Sequence, residues 1–127
     1  MIKETNLNQV TEIKSLKKFQ EVLNQKGIVV LDFFSPTCKP CEIILPLYSK
    51  LAEKYDGVGF YKINGCENQG VFMQSSLDVV WWPTLVILKD SKEVWRGKIP
   101  NPPLQHPMKE LELALTKELN IRNEALE

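Results

Sequence analysis

Apolar and polar positions along this chain keep time in blocks, and the period changes at definable places. Residues 7–13, LNQVTEI, alternate one for one in the manner of a half-buried strand. Ser15 can cap a helix reaching to about Asn24, with Leu16, Phe19, Val22 and Leu23 at helical spacing and Gly27 to close it. Residues 28–34, IVVLDFF, form a nearly continuous apolar run, as in a central strand covered on both faces. From Thr37 the period turns helical. Cys41, Ile44, Leu45, Tyr48, Leu51, Ala52 and Tyr55 recur at three- and four-residue steps, giving one helix from about 38 to 55. Pro46 should kink it, because proline removes a backbone donor and crowds the preceding turn. Residues 58–64, VGFYKIN, read as a strand and 68–77 as a short helix. Residues 84–90 and 93–99 form a hairpin around a turn near Asp90–Lys92. PNPPLQHP cannot be regular structure, and a last helix starts near Pro107 with Met108, Leu111, Leu115 and Leu119 on one stripe.

The resulting order is β-α-β-α-β-α-β-β-α. The strands flanking the 38–55 helix should be parallel, since a right-handed crossover joins them, and the hairpin adds antiparallel strands. That is an α/β fold: a mixed sheet with helices on both faces. At 127 residues, without a repeat or linker-like break, one domain spanning residues 1–127 is expected.

Composition narrows the function classes. Apolar residues make up 43% and charged residues 25%, which is ordinary globular usage. Sixteen basic residues balance sixteen acidic ones, so neither nucleic acid nor a membrane surface is an expected partner. The opening MIKETNLNQVTEIK has no apolar signal-like core, and no run approaches the roughly 18 apolar residues of a membrane span. Three cysteines are too few for a disulfide scaffold. A cytoplasmic monomer is the expectation, although the mature form of a secreted protein would carry the same features. In such a domain a close cysteine pair is catalytic or metal-binding rather than structural.

Cys38 and Cys41, separated by Lys39 and Pro40, are that pair. With Thr37 as N-cap, Cys38 falls in the first turn of a helix that begins where a central strand ends. Unpaired backbone N–H groups, the positive end of the helix dipole and Lys39 then all favour its thiolate below the free pKa of about 8.5. Cys41 faces the core with Ile44 and Leu45 and should keep its proton longer. One exposed, activated sulfur and one buried, resolving sulfur are what thiol–disulfide exchange requires. Pro40 fits the first helical turn and stiffens the loop. Asp32 lies inside VVLDFF, where a charge is expensive without a partner or a task. Buried behind Cys41, it would have a raised pKa and accept the Cys41 proton, with Lys62 modulating it from the neighbouring strand. The bland alternative is an edge position facing solvent.

These residues resemble the thioredoxin family. LDFFSPTCKPC carries an aspartate six residues before the first cysteine, and Pro46 falls five residues after the second. KIN at 62–64 is similar to the family's third strand, and WWPTLVIL to its cis-proline loop. The resemblance covers about residues 7–118, leaving 119–127 as a tail, and implies a thioredoxin fold of about five strands and four helices. It implies that Cys38 is the nucleophile, Cys41 the resolving thiol and Asp32 the buried proton acceptor. Pro83 would be cis, and the backbone of Trp82 would receive an extended substrate segment by strand addition. Thr37, Lys39, Pro40, Trp82 and Pro83 would form the substrate surface. Protein disulfides are the implied substrates. No cofactor is expected in the chain, and with no nucleotide-binding fingerprint the electrons would come from a separate reductase.

The chain departs from the family pattern around this core. Thr37 and Lys39 replace the usual tryptophan and glycine of WCGPC, Phe34 stands where a second tryptophan is usual, and Trp81 and Trp82 replace small or branched residues. IPNPPL occupies the region of an expected glycine. The substrate groove is therefore rebuilt, with Trp82 and secondarily Trp81 as the expected aromatic shelf. Three further residues carry two readings each. Cys66, after the 58–64 strand, is either a regulatory or cross-linking thiol or an ordinary loop cysteine. Cys38, Cys41, Cys66 and His106 could formally bind zinc, but the second half lacks ligand spacing, so no metal is expected. Trp95 is read as packing. The function expected is a thiol–disulfide oxidoreductase, with Pro40 favouring a reductant and Lys39 an oxidant or isomerase. The alternative is a non-catalytic interaction module using the Trp81–Trp82–Pro83 loop.

Overall fold

The computed structural model of the protein describes residues 9–120. Residues 7 and 8 of the first expected strand, and 121–127 of the tail, lie outside the described residues. Nine elements follow in chain order: β1 (Val10–Glu12), α1 (Leu16–Leu23), β2 (Ile28–Phe34), α2 (Lys39–Lys54), β3 (Gly59–Asn64), α3 (Asn68–Ser76), β4 (Thr84–Lys89), β5 (Lys92–Lys98) and α4 (Lys109–Glu118). The strands form one sheet in the order β1-β3-β2-β4-β5. β3 runs parallel to β1 and β2, and β4 antiparallel to β2 and β5, so the mixed sheet follows the expected crossover and hairpin.

The hydrophobic runs explain the layers. On β2, Val29, Leu31 and Phe33 join a buried cluster with Phe19 and Val22 of α1 and Met73 of α3. Val30 faces the other way, among Ile44, Tyr48 and Leu51 of α2 and Leu111 and Leu115 of α4. A strand with a period of two, buried on both sides, thus serves two cores at once. Tyr48 ties α2 to the sheet, its hydroxyl donating to the carbonyls of Val30 at 3.2 Å and Tyr61 at 2.8 Å. Trp95 packs partly buried against the α2–α4 core, as its packing reading requires.

Some boundaries differ from the sequence reading. Ser15 caps α1 by accepting the Lys18 N–H at 3.1 Å, and the helix ends at Asn24, both as expected. Gly27 does not close it. With φ +87° it enters β2 instead, exchanging bonds with the hairpin turn: its N–H donates to Asp90 Oδ1 and its carbonyl accepts the Asp90 N–H, both at 2.9 Å. In that turn Asp90 and Ser91 have φ of 49° and 73°, the positive pair that a tight primed hairpin turn needs. α2 runs through Pro46, as the single helix expected over about 38–55 requires.

Gly70, in the first turn of α3, marks the closest approach of helix to strand, because an added Cβ would strike the backbone carbonyl of Asn64. In an exposed helix Gly→Ala gains up to about 1 kcal/mol. Here the clash involves backbone, and overpacking of this kind costs about 1–3 kcal/mol. Gly70→Ala is therefore expected to lower stability by about 1 kcal/mol or more, measured as a lower urea midpoint at unchanged m-value; a raised midpoint would contradict the close approach.

Candidate active site

The end of β2 builds the reactive turn. Ser35 is 2% exposed, and its carbonyl accepts the Cys38 N–H at 3.1 Å. Its hydroxyl lies 3.2 Å from Thr37 Oγ1 and 3.3 Å from the Thr37 N–H it accepts. Thr37 is thus engaged backwards and is not the N-cap. Cys38 holds that position itself, with extended φ −88° and ψ 113°, and its Sγ accepts the Cys41 N–H at 3.3 Å. The expected first-turn placement of Cys38 moves back by one residue, and the contact with the helix's free donors becomes direct. Pro40 occupies the second helical position, where a missing N–H leaves no bond unmade. Cys38 and Cys41 are joined as a disulfide with Cα atoms 5.3 Å apart. Cys38 is half-buried, whereas Cys41 is only 5% exposed and lies on the core side with Ile44. Lys39 is not a free cation: its Nζ lies 3.3 Å from Glu42 Oε1, in a pair exposed enough to be largely screened.

Asp32 is 1% exposed, so it does not face solvent at an edge. The β2 alternation that sends Val30 toward α2 sends Asp32 the same way. There it shares a cavity of about 160 Å³ with Cys38, Cys41, Ser35, Phe34 and Lys62. Burial raises its pKa from 3.8 to about 7, and the Lys62 charge opposes that rise. Lys62 is its cross-strand partner in the β2–β3 ladder, with Nζ 5.5 Å from the centre of the Phe34 ring. Among the described residues Asp32 Oδ1 has no hydrogen-bond partner. A buried carboxyl without a permanent donor is suited to take up and release a proton.

A second loop reaches the same end of the sheet. Phe33 pairs with Thr84, so β2 runs out into the thiol turn beside the point where β4 begins. The Trp82–Pro83 peptide there is cis. Among the described residues neither the N–H nor the carbonyl of Trp82 has a backbone partner. The two indoles differ from the expected shelf. Trp82 packs partly buried against the α1–α3 core, with Nε1 donating to Gln74 Oε1 at 2.5 Å. Trp81 is the ring left 42% exposed, with Nε1 donating to the Ile99 carbonyl at 2.8 Å. The bulky Trp82 reaches α3 because Gly65 opens the space; a Cβ there would stand 2.6 Å from its Nε1.

The remaining candidates separate. Cys66 is exposed, and its Sγ lies 3.4 Å from Ser35 Oγ, at the same end of the sheet as Cys38. His106 lines a groove with Leu47, Leu51 and Met108, away from the cavity shared by Cys38 and Cys41. His106 and the two cysteines thus do not come together, and among the described residues no group of three or more His, Cys, Asp or Glu could hold a metal. Ser35 and Gln74 are the positioning residues that sequence reasoning missed. A serine two residues before a threonine is a turn signal; nothing local marks Gln74.

The family model described as Thioredoxin matches residues 10–110. The thioredoxin-like protein R548 of Acanthamoeba polyphaga mimivirus is 38% identical over 94 residues, covering 72% of this chain and 69% of its own. Thioredoxin-1 of Saccharomyces cerevisiae is 33% identical over 93 residues, covering 73% and 88%. Among solved structures, the complex of ferredoxin:thioredoxin reductase with thioredoxin f2 contains a chain matching at TM-score 0.72 and 30% identity, over 86% of this chain and 94% of that one. Among the described residues, no helix is long and apolar enough to cross a membrane. The chain belongs to the thioredoxin family and is a thioredoxin-like thiol–disulfide oxidoreductase.

Proposed function

We propose that the protein reduces protein disulfides through a Cys38/Cys41 cycle in which Asp32 takes the Cys41 proton. The observation carrying this reading is that the half-buried Cys38 sulfur caps a helix while Asp32 lies buried in the same cavity as Cys41. In the reduced protein the Cys38 thiolate attacks one sulfur of the substrate, breaking its S–S bond and releasing a substrate thiol. The Cys41 N–H that the sulfur accepts stabilises the attacking anion. Cys41 then gives its proton to the Asp32 carboxylate, and its thiolate attacks Cys38. The Cys38–Cys41 bond forms, the second substrate thiol leaves, and two electrons have passed to the substrate. The unpartnered backbone of Trp82, beside Pro83, would hold the substrate segment by strand addition, with Thr37, Lys39 and Pro40 bordering it.

The reducing direction is supported by Pro40 and by Glu42, which offsets the Lys39 charge that would otherwise make the disulfide more oxidising. Electrons would be supplied by a separate reductase, as in the reductase–thioredoxin f2 pairing named above. The reading is of a monomer acting in the cytoplasm, without nucleic-acid or membrane partners, cofactor or metal.

Three measurements test this cycle. Cys38→Ser should reduce insulin disulfides no faster than background, whereas Cys41→Ser should accumulate a mixed disulfide visible as a mass adduct; full turnover by Cys38→Ser would overturn the assignment. Equilibration against a glutathione redox series should give a midpoint more reducing than the glutathione pool, and a midpoint at or above it would reverse the direction. Asp32→Asn should show two pH-dependent effects. Near pH 8, where the wild-type carboxyl is charged, resolution of the mixed disulfide should slow by roughly a hundredfold, with the gap narrowing toward pH 5.5. The native carboxyl titrates at about 7 rather than 3.8, so the folded state binds the extra proton between those values. Stability is thus full below the unfolded pKa and lost as pH rises through the folded one, by up to about 4 kcal/mol. Asp32→Asn should consequently be the more stable protein near pH 8, with its advantage fading toward pH 4 in urea melts; parallel profiles would sink the raised carboxyl.

A further inference from the structure

We propose that Trp81, with Val80, forms an apolar wall beside the substrate backbone site and selects disulfides flanked by a large apolar side chain within two residues of the attacked cysteine. This inference rests on the disulfide-reducing reading above and adds the class of substrate to it.

The location follows from the sheet. Thr84 pairs with Phe33 on one side and with Lys98 on the other, so the loop 80–83 emerges between the thiol turn and the end of β5. The Ile99 N–H donates to the Pro83 carbonyl at 3.0 Å, which fixes that loop against the chain leaving β5. Val80 is 82% exposed and Trp81 42%, while Trp82 turns inward onto the α1–α3 core. Two adjacent large apolar residues thus stand uncovered next to a free backbone position. Single exposed apolar residues need no explanation, but this pair adjoins the place where a substrate chain would lie.

The hydrogen bonding of Trp81 sets what the wall can recognise. Its indole N–H is already committed to the Ile99 carbonyl at 2.8 Å, and its own carbonyl accepts from Thr84 Oγ1 at 2.6 Å. The exposed part of the ring therefore has no donor to offer. A polar substrate side chain pressed against it would lose water and gain no hydrogen bond, whereas an aliphatic or aromatic one loses nothing of that kind. The indole bond holds the ring, and the carbonyl bond its backbone, before substrate arrives, so contact with it sacrifices little side-chain freedom. A segment added as a strand to the Trp82 backbone advances about 3.3 Å per residue, and cross-strand neighbours lie about 5 Å apart. Trp81, one residue from Trp82, is then within reach of a side chain one or two positions from the cysteine.

The test uses two synthetic peptides, each closed by one internal disulfide and differing only in Phe or Gln two residues from the target cysteine. Reduced full-length protein is mixed with each, and the second-order rate of peptide reduction is followed by chromatography. The ratio of the two rates is the readout, so a general loss of reactivity cancels. Wild type should favour the Phe peptide roughly tenfold, Trp81→Ala should bring the ratio within about twofold, and Trp81→Phe should restore most of it. Val80→Ser, at a position too exposed to matter for folding, should lower the ratio as well and keeps the comparison open if Trp81→Ala does not fold. An unchanged ratio in Trp81→Ala, or in Val80→Ser should that protein stand alone, overturns the wall, as does a wild type without preference. Failure of wild type on both peptides and on 2-hydroxyethyl disulfide would instead remove the disulfide-reducing reading and the wall with it.

Discussion

The N–H of Cys41 donates to the sulfur of Cys38 because, between a strand buried on both faces and the helix that follows it, Ser35 holds Thr37 back and leaves the cap to Cys38. Most helices begin with an oxygen-bearing side chain on their free donors. In this protein the sulfur takes that place, so the group that caps the helix is also the half-buried one at its surface end. The disposition of Asp32 depends on the same junction. β2 has to present Val30 to the α2–α4 core, and its period of two brings Asp32 under the first turn of α2, against Cys41. The reactive sulfur and the titratable carboxyl are thus positioned by one strand and one helix start rather than by separate devices.

The loop proposed to meet a substrate is braced from elsewhere. Gln74 on α3 holds the Trp82 indole, and the carbonyl of Ile99, just past β5, holds that of Trp81. Arg96 of β5 also reaches the end of α3, donating to the Leu77 carbonyl at 2.6 Å and the Asp78 carbonyl at 3.2 Å. The two tryptophans are therefore anchored in opposite directions, one to each flank of the loop. In the proposed cycle chemistry would belong to β2 and α2, and recognition to the loop before β4. The two halves meet where Phe33 pairs with Thr84.

Much of the architecture could be read from periodicity because burial imposes it. IVVLDFF read as a covered strand, with a solvent-facing edge as the alternative for Asp32, and the helical spacing after it located α2 with the two cysteines at its start. What escaped was decided by competition between neighbours or by distant contacts. Thr37 is the better capping residue by chemistry, but Ser35 engages both its hydroxyl and its N–H, leaving the cap to sulfur. Gly27 has the signature of a helix stop, yet its positive φ serves a bond to Asp90, 63 residues away. Trp81 and Trp82 are identical in sequence terms. Which of them is exposed depends on Gln74, Gly65 and Ile99, none of them a neighbour in the chain.

The reciprocal bonds between Gly27 and Asp90 lie at the end of the β2–β4 ladder away from the thiols, where Ile28 pairs with Lys89. A six-residue ladder separates the two ends by about 20 Å. The exposed Ser91 at the tip of that turn is therefore a handle on the pole opposite the reactive one. A dye, bead or fusion partner attached there would leave the disulfide and the exposed Trp81 facing away from the attachment, which makes the hairpin tip the natural point for tethering the protein to a surface.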